Sequence, residues 1–149
     1  TPIRDLLHMS SGVDFGEKRI GLAVSDPMGI TAQGLPTLEN KGKKQMFAEL
    51  EKLCRAEGVE ELVIGLPRNM DGSFGPKADQ VQALVPELEK TLRIPVLTWD
   101  ERLTSRQAGR LMIEEGLSRQ RQKQNSDRLA ATLILQSYLE FKRSRRGEE

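Results

Sequence analysis

The sequence predicts an α/β fold, in which a mixed five-stranded sheet of three antiparallel and then two parallel strands is flanked by helices. Near the N-terminus, two β-rich runs are joined by a tight turn, which favours antiparallel pairing. Farther along, short apolar runs alternate with helical segments, an order typical of parallel strands joined by helical crossovers. The 149 residues are enough for one domain with a buried core.

The first three predicted strands follow one another through short connections. Runs of strand-forming residues cover residues 12–16, 19–26 and 31–39. Pro36 lies inside the third run and has no amide hydrogen to donate to a neighbouring strand. We therefore expect the third strand at an edge of the sheet.

Helices alternate with two further strands over the rest of the chain. Apolar residues recur at helical spacing in segments that predict helices over residues 43–58, 76–93, 104–116 and 126–143. Short apolar runs predict the last two strands over residues 60–67 and 94–101. We expect Gly58 to end the first helix, Pro86 to kink or split the second, and Ser126 to cap the last.

Composition restricts the chemistry that the chain can perform. Hydrophobic residues make up 37% and charged residues 30%, with a mean hydropathy of −0.50, so we expect a soluble, cytoplasmic protein without a membrane partner. The single cysteine, Cys54, excludes an internal disulfide, and the single histidine, His8, argues against a Ser-His-Asp triad or a His-rich zinc site. Catalysis would therefore depend on carboxylates, lysines, arginines or hydroxyls.

Positive charge is concentrated locally although the net charge is only +1. The segment 117–125, predicted to be a loop, carries Arg119, Arg121 and Lys123, and Asp127 follows shortly after it. A basic patch on a nearly neutral protein is compatible with a polyanionic partner such as nucleic acid, and equally with a solvated basic surface.

Acidic residues follow the predicted first and fifth strands and begin the predicted last helix. Asp14 ends the first strand, Asp100 and Glu101 end the fifth, and Asp127 starts the helix. Ligands of open α/β sheets collect beyond the carboxyl ends of the strands, so these acids could meet there. Clustered carboxylates need a cation between them, and their hard oxygen atoms select Mg²⁺ or Mn²⁺.

Each of these acids also has an explanation that involves no ligand. Asp14 is suited to cap the turn before Gly16, and Asp100 or Glu101 could pair with Arg102. An aspartate at a helix start is stabilised by the helix dipole alone. No single acid therefore establishes a metal site.

Four segments of the chain together resemble a known family. They read VDFGEKRIGLAVSD, VIGLPRNMDGSFGP, DERLTS and DRLAATLILQSYL. In this order and at these intervals they resemble the motifs of the YqgF/RuvX family, over residues 12–141. Members of that family have a ribonuclease H-like fold and are named as nucleases of pre-16S rRNA or as Holliday junction resolvases.

The resemblance implies a catalytic site by matched position. Asp14, Glu101 and Asp127 would be the catalytic carboxylates and the ligands of two Mg²⁺ or Mn²⁺ ions. Asp100 is a weaker candidate ligand, because adjacent residues of a strand point to opposite faces of the sheet. Contacts with the sugar-phosphate backbone are implied for Arg19, Arg68, Asn69 and Arg102.

The chain departs from the family pattern just before Asp14. Ser10 and Ser11 stand where hydrophobic residues of the first strand are expected. Either the strand starts late, or an additional N-terminal segment over residues 1–9 lies on the sheet. We expect one nuclease domain over residues 1–149, with a flexible basic tail over residues 143–149.

The carboxylates favour a metal-dependent nuclease, and the resemblance implies that it matures the 5′ end of pre-16S rRNA, on its own or within a pre-ribosomal particle. A Holliday junction resolvase acting on branched DNA is an alternative, since both substrates are recognised through backbone and shape. A non-catalytic nucleic-acid-binding or ribosome-assembly module is another. An actin-like sugar kinase or ATPase is disfavoured because its nucleotide cleft lies between two such domains. Both a monomer and a homodimer are compatible with the sequence.

Overall fold

The computed structural model describes residues 8–103 and 119–147, with the side chains of residues 8–102 and 129–145. The strands are β1 (Ser10–Phe15), β2 (Arg19–Ser25), β3 (Ala32–Glu39), β4 (Glu61–Leu66) and β5 (Val96–Asp100). The helices are α1 (Lys43–Glu57), α2 (Pro76–Leu92), α3 (Arg119–Gly147) and a 3-10 turn (Glu101–Leu103). In this part of the chain, no helix combines the length and the apolar character that a membrane span requires.

The five strands form one mixed sheet in the order β3-β2-β1-β4-β5. β1 pairs antiparallel with β2, and β2 with β3, whereas β4 pairs parallel with both β1 and β5. The predicted α/β fold is therefore confirmed. β3 lies at an edge, as predicted, and its register with β2 shifts between the partners of Ile20 and Leu22, beside Pro36.

Helices cover both faces of the sheet, so β4 is buried along its whole length. Ile64 of β4 belongs to a core that includes Leu50 of α1 and Leu88 of α2. The preceding residue, Val63, belongs to a second core formed with Ile134 of α3. Successive strand residues point to opposite faces, so this alternation assigns each side chain of the sheet to one of the two layers.

Gly58 follows α1, and Pro86 lies inside α2. α1 ends at Gly58 in a left-handed conformation, as predicted. α2 is not split at Pro86, because Val81 and Leu88 are buried on either side of it and hold both halves against the sheet.

α3 is longer at both ends than predicted. It begins at Arg119, so the predicted loop is helical from that residue and the predicted N-cap at Ser126 is wrong. Arginine, glutamine and lysine are good helix formers, which explains the early start. Residues 143–147 belong to α3. The predicted helix over residues 104–116 lies outside the described residues.

The N-terminal serines are strand residues with buried, satisfied hydroxyl groups. β1 starts at Ser10, so the predicted late start is wrong. Ser11 Oγ donates to the carbonyl oxygen of Ala23 at 2.8 Å, and Ser10 Oγ donates to Glu61 Oε1 at 2.8 Å. The hydroxyls therefore replace strand hydrophobes without leaving unsatisfied polar atoms. Just before them, His8 donates its backbone N–H to the carbonyl of Pro27.

Glu61 is the acceptor of a buried polar network at the start of β4. Its side chain is only 9% exposed. Besides Ser10, Tyr138 Oη donates to it at 2.9 Å and Lys142 Nζ at 2.7 Å, both from α3. Burial alone would raise the pKa of Glu61, but the hydrogen bonds from Lys142, Ser10 and Tyr138 outweigh it and hold the pKa below its ordinary value.

Replacing Glu61 with glutamine is expected to destabilise the fold by about 3 kcal/mol at neutral pH, since it leaves Lys142 without its buried partner. Because the folded-state pKa is lowered, the charged network contributes fully above pH 4.5, the ordinary value, and is lost as pH falls through the folded pKa. Urea unfolding from pH 7 to pH 3 should show the difference between parent and variant narrowing toward acid.

Glu89→Gln is the matched control, because Glu89 is exposed on α2, on the other face of the sheet from Tyr138 and Lys142. Its expected cost is below about 1 kcal/mol. Equal losses in the two variants, or a pH-independent loss in Glu61→Gln, would contradict a buried charged network.

Candidate active site

Asp14 lies near the C-terminal end of β1 with a glycine on each neighbouring strand. It pairs with Gly21 of β2. On the other side, Val13 pairs with Ile64, so the parallel register places the next residues, Asp14 and Gly65, side by side. Adjacent strands are about 4.8 Å apart, and neither neighbour has a side chain. Neither β2 nor β4 therefore places a side chain of its own directly beside Asp14.

The carboxylate of Asp14 points to the face of the sheet that α3 covers. Val13 is buried in the opposite core, and adjacent strand residues point to opposite faces. α3 lies close to that face at Gly12, where an added Cβ would lie 2.8 Å from Leu135 Cβ and 2.9 Å from the carbonyl oxygen of Ala131. Asp14 itself is half-buried at the edge of this contact.

Glu101 reaches the same place from the end of β5. It begins the 3-10 turn directly after the strand. A Cβ added to Gly65 would lie 2.7 Å from Glu101 Oε1, so the carboxylate of Glu101 occupies the space above that glycine. Since Gly65 is the neighbour of Asp14, the fold brings the carboxylates of Asp14 and Glu101 to one face of the sheet, around Gly65.

Asp127 lies within α3. The sequence had predicted it in the first turn of that helix, which is wrong. It precedes Ala131 by four residues and Ile134 by seven, the spacing of one helix face. Ile134 Cδ1 would lie 2.6 Å from a Cβ on Gly65. Position 127 therefore shares the helix face of Ile134, the residue that lies against Gly65. The side chain of Asp127 itself is outside the described part. The side chains of Arg119, Arg121 and Lys123 are also outside the described part.

Asp100 is engaged by two arginines. It accepts hydrogen bonds from Arg102 Nη2 at 2.7 Å and from the backbone N–H of Arg102 at 3.0 Å. Arg68 Nη1 lies 3.6 Å from Asp100 Oδ2. The hydrogen bond from Arg102 is the main cause that lowers the pKa of Asp100. Trp99 packs on Tyr138 of α3, so Asp100 points to the other face, away from Asp14.

The segment after β4 forms a tight hairpin over residues 68–74. The backbones of Arg68 and Phe74 form an isolated antiparallel β-bridge. The guanidinium of Arg68 lies 4.7 Å from the centre of the Phe74 ring, and Arg68 Nε donates to the carbonyl of Gly72 at 2.9 Å. Gly72 has a φ of 88°, which favours glycine. Asn69 Nδ2 donates to Ser73 Oγ at 3.0 Å, so Asn69 braces the hairpin.

Arg19 begins β2 at the turn that follows Asp14. The side chain is half-buried, and the residue pairs in register with Glu39 of β3. The turn needs a glycine at Gly16, where an added Cβ would lie 2.5 Å from the carbonyl oxygen of Arg19. Asn40 Nδ2 donates to the carbonyl of Gly16 at 2.7 Å, which holds the turn against the end of β3.

A model described as RuvX, Holliday junction resolvase, matches residues 8–141. The chain belongs to the RuvX family. Proteins of Syntrophomonas wolfei and Moorella thermoacetica, each named "Putative pre-16S rRNA nuclease", are 51% identical to it over 129 residues, which cover 87% of this chain and 92% of the relative.

Two solved resolvases share the fold of this RuvX protein. RuvC from T. thermophilus in complex with a Holliday junction substrate matches with a TM-score of 0.53 and 16% identity, over 91% of this chain and 96% of the other. The Fowlpox virus resolvase in complex with Holliday junction DNA matches with a TM-score of 0.57 and 11% identity, over 90% of this chain and 98% of the other. At these identities the likeness supports the ribonuclease H-like fold.

Gly65 is a site residue of this RuvX chain that sequence reasoning missed. It is a buried glycine near the C-terminal end of the apolar strand β4, where a side chain would add packing. An isolated glycine in a strand often marks a close approach of another group, which was the available signal. The approaching group is the carboxylate of Glu101.

Proposed function

We propose that this RuvX protein is a metal-dependent nuclease that hydrolyses phosphodiester bonds in the 5′ extension of pre-16S rRNA. The observation that carries the proposal is the convergence of Asp14 and Glu101 around Gly65. The names of its relatives, at 51% identity over most of both chains, support rRNA as the substrate.

The donor set fits a divalent cation. Asp14 and Glu101 supply hard oxygen ligands on one face of the sheet, and the absence of a side chain at Gly65 lets the carboxylate of Glu101 approach Asp14. Among the side chains that the structure describes, no group of three His, Cys, Asp or Glu residues could hold a metal. Asp127, whose side chain lies outside that set, is the proposed third ligand.

Mg²⁺ or Mn²⁺ held by Asp14, Glu101 and Asp127 would polarise the scissile phosphate and stabilise the charge that develops on it. The chain itself supplies the placement of the substrate. Asp100 and the Gly72 carbonyl orient the guanidinium groups of Arg68 and Arg102 beside the end of β5. We propose that these two arginines contact the sugar-phosphate backbone and that Asp100 positions them, rather than binding metal.

Cleavage of two substrates in parallel tests this proposal. The purified protein is incubated with a pre-16S rRNA fragment that retains its 5′ extension and with a synthetic four-way DNA junction. Each reaction contains Mg²⁺, Mn²⁺ or EDTA. We expect metal-dependent cleavage of the RNA within its 5′ extension, none in EDTA, and no cleavage of RNA that already has the mature end.

The same assay separates the alternatives. Cleavage of the DNA junction alone would replace the proposed substrate with branched DNA, the activity that the description of the family model states. Salt-sensitive binding of either substrate without cleavage in any metal would instead indicate a non-catalytic nucleic-acid-binding module.

A further inference from the structure

Met70 stands at the tip of the hairpin over residues 68–74 with its side chain 90% exposed. Single exposed hydrophobic residues are common and need no explanation by themselves. Met70 differs because the hairpin that carries it is held in place by hydrogen bonds and by the side chain of Arg68. This hairpin follows the C-terminal end of β4, the strand that contains Gly65.

The brace is a ladder of hydrogen bonds across the hairpin. The backbone N–H of Asn69 donates to the carbonyl of Ser73 at 2.9 Å, and the N–H of Gly72 donates to the carbonyl of Asn69 at 2.8 Å. Arg68 clamps the base of the hairpin through Gly72 and the ring of Phe74. Met70 is therefore presented at a defined place instead of being free to fold back onto the protein.

The hairpin is tied to the candidate active site through its arginine. Arg68 reaches Asp100, the last residue of β5, and Glu101 follows immediately. Met70 thus projects from the end of the sheet formed by the C-terminal ends of β1, β4 and β5, where the carboxylates of Asp14 and Glu101 converge. A nucleic acid whose phosphates reach those carboxylates would lie at the end of the sheet from which the hairpin projects.

We propose that Met70 is a wedge that stacks on the terminal base pair at a boundary between paired and unpaired nucleotides, while Arg68 and Arg102 contact the adjoining phosphates. This inference rests on the proposed function. Proteins that open base stacks insert apolar side chains, methionine among them. A thioether also makes favourable contacts with aromatic rings.

A boundary suits one methionine better than a continuous duplex does. Burying a single methionine returns about as much free energy as opening one base step costs, so insertion into an intact stack has little net driving force. At a boundary the next base is unpaired and held only by stacking, so it is displaced at lower cost and the burial of Met70 is then favourable. The wedge would therefore place the cleavage site relative to the end of a stem.

The test uses the Asp14→Asn protein, so that binding is followed without cleavage. The probe is an RNA stem with a single-stranded 5′ flank, carrying 2-aminopurine in the base pair at the boundary. We expect the fluorescence to rise about twofold or more on saturation, because Met70 displaces the unpaired flank base that stacks on the 2-aminopurine. The same RNA with 2-aminopurine in the middle of the stem should not respond.

Adding Met70→Ala to this protein should abolish the rise, weaken RNA binding less than about tenfold, and leave the dependence of binding on salt unchanged, since no phosphate contact is removed. Met70→Leu should restore the rise. Met28→Ala is the matched control, because Met28 is 57% exposed but follows β2 at the opposite edge of the sheet.

A rise that persists in the Met70→Ala protein, or that Met28→Ala removes equally, would overturn the wedge while leaving the proposed function intact. Failure of the Asp14→Asn protein to bind the RNA, together with failure of the parent to cleave, would overturn the proposed function and the wedge together. Thermal unfolding of the Met70→Ala protein should match that of its parent, because the side chain is exposed.

Discussion

Replacing Asp14 with asparagine is expected to lower metal-dependent cleavage at least about 10³-fold, a loss of about 4 kcal/mol in transition-state stabilisation. The amide has the shape of the carboxylate but carries no charge, and it cannot neutralise a divalent cation together with Glu101. Initial rates on the cleaved substrate, with enzyme in excess, measure the effect.

The Asp14→Asn protein should nevertheless fold. The substitution keeps the volume of a half-buried side chain. A second readout is independent of activity. Mg²⁺ or Mn²⁺ should raise the unfolding temperature of the parent by binding the folded state, and should raise that of the variant much less.

Asp79→Asn is the matched control for Asp14→Asn. Asp79 is exposed in the first turn of α2, on the other side of the sheet. Its replacement should change neither the cleavage rate nor the effect of metal on unfolding. Cleavage by the Asp14→Asn protein at the rate of the parent would remove Asp14 from the catalytic site.

Replacing Gly65 with alanine is expected to reduce cleavage about 10²-fold, the effect of moving a catalytic group by about 1 Å. The new Cβ would lie 2.7 Å from Glu101 Oε1 and 2.6 Å from Ile134 Cδ1. Both are ends of flexible side chains that can turn away, so the cost in stability should be only about 1 kcal/mol. Glu101, however, would lose the position beside Asp14 that the proposed chemistry requires.

Gly12→Ala is the control that distinguishes the displacement of Glu101 from overpacking between the sheet and α3. Gly12 lies on the same face, but its added Cβ would meet Leu135 Cβ and the carbonyl oxygen of Ala131, which cannot move without α3. Its expected cost is about 3 kcal/mol of stability. Urea unfolding and single-turnover rates on both variants make the comparison. Full activity in Gly65→Ala would show that the position of Glu101 does not matter for cleavage.

Local patterns in the sequence were sufficient for much of the architecture. The periodicity of apolar residues predicted all five strands and the course of α1 and α2, because alternation and helical spacing are properties of neighbouring residues. Pro36 predicted the edge strand through its missing amide hydrogen.

The same local patterns failed where distant residues compensate. Ser10 and Ser11 suggested a late strand start, since their partners Glu61 and Ala23 lie far away in sequence. Pro86 suggested a kink or a split in α2, and the helix is not split because its residues on both sides of Pro86 pack against the sheet.

For the candidate site, the sequence by itself determined which acids stand at strand ends, and the family motifs selected Asp14, Glu101 and Asp127 among them. Only the tertiary structure decided that Glu101 turns toward Asp14 over Gly65, whereas Asp100 turns to Arg68 and Arg102. The physical reason is the alternation of a strand. Which of two adjacent acids faces a given layer depends on where the strand ends, and long-range pairing with β4 sets that end.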